Sequence, residues 1–259
     1  MKISILTLFP EFFDGFLTNS IIKRAIAKGL VEVELVNIRD FTTDKNGRVD
    51  SAPVGGGAGL IMKCQPIIDC LNSVRKENSH VILLSPRGAT YTQARARYFS
   101  KNYDHLILIC GHYEGTDERI NKYVDELVSV GDYILTGGEI GATIISDSVI
   151  RLLDGAIAAE SIEDESFENG LLEYPQYSEP FEYDGQYIPD ILYSGNHQAI
   201  AKWRKKESLR LTKKYRPDLL KDYKYTKEEI KLLKELDSEE TPKWEKDAIE
   251  KGKKFIKQK

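Results

Sequence analysis

The residues with the clearest chemical potential are glycines in four short stretches: 54–59 (VGGGAG), 85–88 (SPRG), 111–115 (GHYEG) and 131–138 (GDYILTGG). Glycine lets a backbone approach a ligand closely and adopt conformations closed to other residues. Three of the four stretches follow short apolar runs that read as strands. In an open parallel sheet, ligands bind beyond the carboxyl ends of the strands. One such loop alone is an ordinary tight turn, whereas three at equivalent positions point to one shared small-molecule pocket. VGGGAG lacks the Lys-Ser/Thr of a phosphate-binding loop and no GxGxxG follows the first strand, which disfavours an NTPase and a dinucleotide-dependent dehydrogenase. HExxH and the nucleophilic serine elbow are also missing. His112 and His197 have suitable chemistry, but a lone histidine is more often structural or simply on the surface.

A second constellation interleaves cations and aromatics: Trp203, Arg204, Lys205, Lys206, Arg210, Lys213, Lys214, Tyr215 and Arg216. Cations reach phosphates, and rings or guanidinium planes stack on bases. A solvated helix face beside core aromatics has the same composition, and composition does not separate the two.

The elements that must position these residues read as alternating strands and helices over the first 155 or so positions. Strands are expected at 3–8, 31–38, 81–84, 106–110 and 126–130, each rich in Ile, Leu and Val as strands buried on both faces are. Helical spacing appears at Ile21, Ile22, Ala25 and Ile26, with Gly29 as a stop, and again over 66–74, 91–100 and 139–153. Strands alternating with helices imply an α/β domain with a mostly parallel sheet.

After Leu153 the composition changes. Glu160, Glu163, Asp164, Glu165 and Glu168 form an acidic stretch that reads as an exposed linker. A loop rich in Pro and Tyr follows over 174–193. Then comes a helical segment with nine Lys or Arg between Lys202 and Lys221, where Ile200, Trp203 and Leu209 share one side. The expected organisation is a ligand-binding α/β domain over 1–158, a flexible acidic linker over 159–173 and a helical basic domain over 174–259.

The chain has 259 residues, a formal net charge of −4, and 41% hydrophobic and 10% aromatic residues, enough for a substantial core. No apolar run reaches the roughly 18 to 20 residues of a membrane span, and the start, MKISILTLFPEFF, does not read as a signal peptide. Cys64, Cys70 and Cys110 contain no CxxC pair, so buried reduced thiols in a cytoplasmic protein are expected.

Taken together, the motifs amount to a resemblance. The sequence resembles the bacterial tRNA (guanine-N1)-methyltransferase family of the TrmD type, from LFPEFF at the start to KYRPDLL near residue 220. The segments that carry it are CGHYEGTDER (110–119), VGDYILTGGE (130–139), DSVIR (147–151), SFENGLL (166–172) and SGNHQAIAKWR (194–204), supported by shorter matches at 8–12, 39–41, 55–57 and 85–86.

The resemblance implies a SPOUT-class α/β fold, a parallel sheet with a deep trefoil knot, plus a small, mostly helical C-terminal domain. It implies methylation of N1 of guanosine 37 by S-adenosylmethionine in tRNAs carrying G at position 36. It also implies recognition of the tRNA anticodon arm and a homodimer whose active sites take residues from both chains. The cofactor residues carried over by position are Leu84, Ser85 and Pro86; Gly111, Tyr113 and Glu114; and Val130, Gly131, Asp132, Tyr133, Ile134, Leu135, Gly137 and Gly138. Arg151 matches the family's catalytic arginine. The family's general-base Asp stands immediately before Ser-Phe; here that place holds Glu165, with Asp164 one residue earlier, so either carboxylate is a candidate. Asn196, His197, Trp203, Arg204, Lys205, Lys206 and Arg210 are the RNA-binding candidates. Mg2+ is reported for the family's reaction, although no metal-ligand set is read from this sequence.

Other departures are Val54, Ala58, His112 and Glu179, where the family has Tyr often, Pro usually, Arg in many members and Arg usually. A divergent paralogue that binds S-adenosylmethionine and RNA with little methylation is the alternative reading. The linker is expected to be mobile without tRNA and to order over the target base.

Overall fold

The computed structural model describes residues 1–158, 164–238 and 240–256; Glu160 and Glu163 of the acidic stretch lie outside them. The chain divides into two compact units, Met1–Ile162 and Glu163–Lys259.

The first unit is built on β1 (Lys2–Thr7), β2 (Glu32–Asn37), two short strands β3 (Asp50–Ser51) and β4 (Ile61–Met62), β5 (Ser79–Thr90), β6 (His105–Ile109) and β7 (Glu126–Ser129). Five of them form one sheet in the order β2-β1-β6-β5-β7, with every neighbouring pair parallel. All five residues of β6 are buried. Their side chains alternate between two cores, as the period-two geometry of a strand requires. Leu106 and Leu108 join Ile3, Ile5, Phe13, Ile145 and Val149, while Ile107 and Ile109 join Leu6, Ile38, Ile67, Leu71 and Leu83. A sheet covered on both faces explains the near-continuous apolar runs in the sequence.

The covering helices are α1 (Asp14–Thr18), α2 (Ser20–Ala27), α3 (Cys64–Val74), α4 (Gln93–Asn102) and α5 (Glu139–Ile150). Gly29, at φ +70°, stops the chain after α2. Thr92 caps α4 by accepting a hydrogen bond from the Arg95 amide.

β5 departs from the sequence reading. The expected strand ends at residue 84, whereas the observed one continues to Thr90. Leu84 and Ala89 both pair with Val128 of β7, so residues 85–88 leave the sheet and the strand resumes afterwards. Gly88 makes the return possible, because a Cβ there would sit 2.4 Å from the Leu127–Val128 backbone. SPRG reads as a strand end because it contains both Pro and Gly.

Among the described residues of the second unit, regular structure begins with a hairpin, β8 (Glu182–Tyr183) and β9 (Gln186–Tyr187), turned by Asp184 and Gly185, both at positive φ. Three longer helices follow, α6 (His197–Tyr215), α7 (Lys227–Leu236) and α8 (Lys243–Ile256). Thr226 and Glu229 close a capping box on α7. Leu171, Leu209 and Leu232 form one small core, and Ile191, Ala199, Trp203 and Ala248 form another.

Among the described residues no helix is long and apolar enough to cross a membrane. Cys64, Cys70 and Cys110 are unpaired. Burial, with Asp40 and Glu34 nearby, pushes the Cys70 thiol up to about 12, and burial raises Cys110 well above its ordinary 9, so neither is a thiolate near neutral pH.

Candidate active site

The loops that follow β6 (residues 111–115), the first half of β5 (84–88) and β7 (130–138) leave neighbouring parallel strands at the same end. The 130–138 loop meets the 111–115 loop in direct backbone contact. The Gly138 amide donates to the Gly111 carbonyl at 2.8 Å, and His112 and Gly137 form an isolated bridge. A Cβ on Gly138 would lie 2.7 Å from the Cys110 Cα, so a side chain there would displace backbone. The first loop joins the same cluster through Leu84, whose Cδ1 would be 3.0 Å from a Cβ on Gly141, in the first turn of α5. Ser85 accepts from the Arg87 amide at 3.3 Å and shapes the turn around Pro86.

Within the second loop, Tyr113 holds φ +58°, a conformation that costs energy in a bulky residue and concentrates at functional sites. Its phenol is raised above the ordinary 10 by burial and by Asp50, with Arg39 acting in opposition. The Glu114 amide donates to the Leu60 carbonyl at 3.0 Å. Its carboxylate lies over Gly59, where a Cβ would be 2.6 Å from Oε1, so the 54–59 loop also reaches the cluster. Glu114 is not held by Arg119, because that guanidinium binds Asp117 at 2.9 and 2.7 Å.

In the third loop Gly131 takes φ +151° beneath the Tyr133 ring, and the Tyr133 hydroxyl donates to the Val130 carbonyl at 3.0 Å. Asp132, Tyr133 and Ile134 are exposed, Ile134 to 82%, and Leu135 is half-buried. The cluster therefore combines glycine backbone open to close approach, exposed apolar rings and chains, and the carboxylates of Glu114 and Asp132.

Sequence reasoning did not single out the group that braces this arrangement. Glu139 is buried, and its Oε1 accepts from the Thr7 hydroxyl at 2.8 Å. Thr7 in turn accepts from the Phe9 amide at 3.0 Å. The end of β1 is thus tied to the start of α5, directly behind Gly137 and Gly138. The available signal was the Glu that closes the GDYILTGGE run.

Arg151 caps α5, its amide donating to the Asp147 carbonyl at 3.1 Å. Ile140, Ile144 and Asp147 precede it at helical spacing and are all exposed, so α5 presents a stripe that runs from apolar residues to a guanidinium.

In the second unit, Asp164 Oδ2 accepts from the Tyr174 hydroxyl at 3.2 Å. Glu165 accepts at its backbone carbonyl from the Glu168 amide at 3.3 Å. The RNA-binding candidates on and around α6 fall into distinct environments. Asn196 is the N-cap, accepting from the Ala199 amide at 3.2 Å, and His197 is exposed in the first turn. Trp203 is a core side chain at 5% exposure. Lys206 is 8% exposed and binds Glu245 at 2.5 Å, with the Trp244 ring 5.4 Å away. Lys205 lies 3.7 Å from Glu229. Arg204 stacks on Tyr174 at 4.7 Å. Arg210 is exposed and paired with Glu207, which raises it further. Composition had grouped these residues as one basic patch; packing sorts them into a core pair, compensated surface ions and exposed cations.

The comparisons with known proteins agree with one another. The family described as tRNA (Guanine-1)-methyltransferase TrmD matches residues 1–222. A protein of Clostridium botulinum (strain 657 / Type Ba4) named tRNA (guanine-N(1)-)-methyltransferase is 53% identical over 237 residues, covering 91% of this chain and 98% of that protein. Proteins of the same name from Clostridium perfringens (strain SM101 / Type A), 52% identical over 236 residues, and Malacoplasma penetrans (strain HF-2), 53% identical over 228, cover 90% and 88% of this chain and 99% and 100% of their own lengths. With the match running through both units and through every loop of the cluster, the chain belongs to the tRNA (guanine-1)-methyltransferase TrmD family.

Proposed function

We propose that this tRNA (guanine-N1)-methyltransferase methylates N1 of guanosine 37 in tRNAs that carry G at position 36, with S-adenosylmethionine as donor, in the cytoplasm. The observation that carries the reading is the backbone contact of the 130–138 loop with the 111–115 loop at Gly138 and Gly111, flanked by Leu84. The SPOUT-class knot is carried by the family resemblance, and the glycine backbone and exposed apolar groups around this contact suit an adenosyl ligand.

Leu84, Ser85 and Pro86, the Gly111–Tyr113–Glu114 run, and Val130 through Leu135 with Gly137 and Gly138 are the residues assigned to hold the donor. When bound, S-adenosylmethionine supplies an electrophilic methyl group on a cationic sulfur. Glu114 and Asp132 offer negative charge to its cationic end. Guanine N1 is protonated at neutral pH and is a poor nucleophile until that proton leaves. A carboxylate of the 164–165 pair accepts it. Negative charge then builds on O6, and the guanidinium of Arg151 stabilises it. With the donor bound, the deprotonated N1 held by these residues would take the methyl group, and the donor would be released with a neutral thioether sulfur. Among the described residues no group of three or more His, Cys, Asp or Glu is placed to hold a metal ion, so no step is assigned to Mg2+.

The apolar stripe of Ile140 and Ile144 on α5, with Phe12 half-exposed, supports a homodimer in which each active site takes residues from both chains. Arg204 and Lys214 supply exposed cations for the anticodon arm, beside Arg210 and Lys213, which are exposed but paired with Glu207 and Asp237. The test is transfer of a labelled methyl group to a tRNA transcript with the product nucleoside identified. The reading predicts 1-methylguanosine; a different methylated nucleoside, or none with the donor bound, contradicts it.

A further inference from the structure

The described part of the acidic stretch is not uniform in how it is held. Leu171 is buried against Leu209 and Leu232, and the Leu172 amide donates to the Thr212 hydroxyl at 2.9 Å. Phe167, at φ +74°, donates its amide to the Leu171 carbonyl at 2.8 Å and lies beneath the Arg216 guanidinium at 5.6 Å. Ser166 Oγ accepts from the Glu173 amide at 3.0 Å. Each of these interactions fixes the chain on the C-terminal side of Glu165. On the N-terminal side the fixing partner is Tyr174, whose hydroxyl reaches Asp164 at 3.2 Å while its ring carries Arg204 at 4.7 Å. Burial raises that phenol above its ordinary 10, with Arg204 opposing and Asp164 adding to the rise, so it is a protonated donor near neutral pH.

Asp164 therefore has one oxygen committed to a phenol that is itself stacked on α6, and Glu165 stands between two pinned neighbours, Asp164 and Ser166. This matters because Glu carries one more methylene than the Asp usual at this position, and a reacting group misplaced by about 1 Å can cost roughly 100-fold in rate. A longer side chain delivers its carboxylate reproducibly only from a fixed backbone. We propose that Tyr174 is a positioning residue for methyl transfer: its hydroxyl anchors Asp164 to α6 beneath Arg204, which fixes the backbone from which Glu165 accepts the N1 proton. Of the two candidate carboxylates, Asp164 is then the anchor and Glu165 the base. The inference rests on the methyl-transfer reading given above.

The test is single-turnover methylation of a tRNA transcript at saturating donor by the wild type, Tyr174→Phe, Asp164→Ala and the double variant, with thermal melting of each. Tyr174→Phe keeps the ring beneath Arg204 and removes only the hydroxyl. It is expected to slow transfer about tenfold, the loss of one hydrogen bond to a charged group, with donor affinity unchanged. Asp164→Ala, which removes the acceptor, is expected to slow transfer to a similar degree, and the double variant to be no slower than either, because both remove the same hydrogen bond. Glu165→Gln is expected to abolish transfer. A Tyr174→Phe variant as fast as wild type, or losses that multiply in the double variant, overturns the anchoring role while leaving the methyltransferase reading intact. A wild type that binds the donor but forms no 1-methylguanosine overturns both.

Discussion

The Gly138 amide lies 2.8 Å from the Gly111 carbonyl, and a Cβ on Gly138 would sit 2.7 Å from the Cys110 Cα. Two loops separated by a strand and a turn of helix are thus held backbone against backbone, and the room for that approach exists only because position 138 has no side chain. Gly138→Ala is expected to force the loops apart, costing about 1–3 kcal/mol of stability by the usual scale of overpacking and weakening donor binding. Calorimetric unfolding and titration with S-adenosylmethionine check both; an unchanged affinity in a stable variant would separate the contact from the cofactor site.

Glu139 braces the same contact from behind. Its bond to Thr7 is buried, and truncation to Ala leaves the Thr7 hydroxyl without its acceptor and opens a void. Thr7→Val removes the donor while keeping the shape. Glu139→Ala is expected to lose about 2–4 kcal/mol, and Thr7→Val less, about 1–2 kcal/mol, as neutral truncations of a buried pair do. Chemical denaturation with an unchanged m-value reads the difference. Equal and negligible losses would show that the pair does not hold the loop.

The cations of α6 are expected to behave in two ways. Lys206 and Glu245 form a buried pair, so Lys206→Ala leaves an uncompensated carboxylate and is expected to cost about 3–5 kcal/mol of stability. Lys214 and Arg204 are exposed. Their neutralisation is expected to leave folding intact, weaken tRNA binding and reduce the salt slope by about one for each phosphate no longer neutralised. Binding isotherms at several salt concentrations, read beside melting curves, separate the classes. A salt slope unmoved by Lys214→Ala and Arg204→Ala would remove that face from the RNA interface.

Stability is expected to depend on pH through His105. Its ring is buried between the hydroxyls of Ser4 and Ser79, at 2.9 and 2.8 Å, and burial, with Lys2 and Lys76 nearby, lowers it below the ordinary 6.5. The folded protein holds the ring neutral where the unfolded chain takes up a proton. The contribution is therefore fully present above pH 6.5 and is lost as the pH falls from 6.5 towards the folded value. Melting temperatures measured between pH 7.5 and 5 should fall in the wild type and fall less in His105→Asn. An identical slope in both would assign the loss to other groups.

Much of this was legible in the sequence where one physical signal dominated. Apolar runs of four to eight residues marked all five strands of the large sheet, because strands buried on both faces have little else to be. The three glycine loops after them marked the cluster. What was not legible depended on partners distant in sequence. The return of β5 into the sheet turns on Gly88 meeting the backbone of Leu127 and Val128. The role of Glu139 needs Thr7, more than a hundred residues earlier. Lys206 and Lys205 are neighbours of the same type, and only the approach of Glu245 on α8 makes one a core ion and leaves the other half-exposed. Asp164 and Glu165 are equivalent as residue types, and nothing in the sequence shows the hydrogen bond that ties Asp164 to Tyr174.

The central claim is base-specific methyl transfer to guanosine 37 read in the context of position 36. Two anticodon-arm transcripts, one with G36-G37 and one with A36-G37, offered with labelled S-adenosylmethionine to the full-length protein, test it most directly. The account predicts 1-methylguanosine on the first and little or none on the second, and loss of the product with Arg151→Ala. Equal methylation of both transcripts, or none of either with the donor bound, would contradict it.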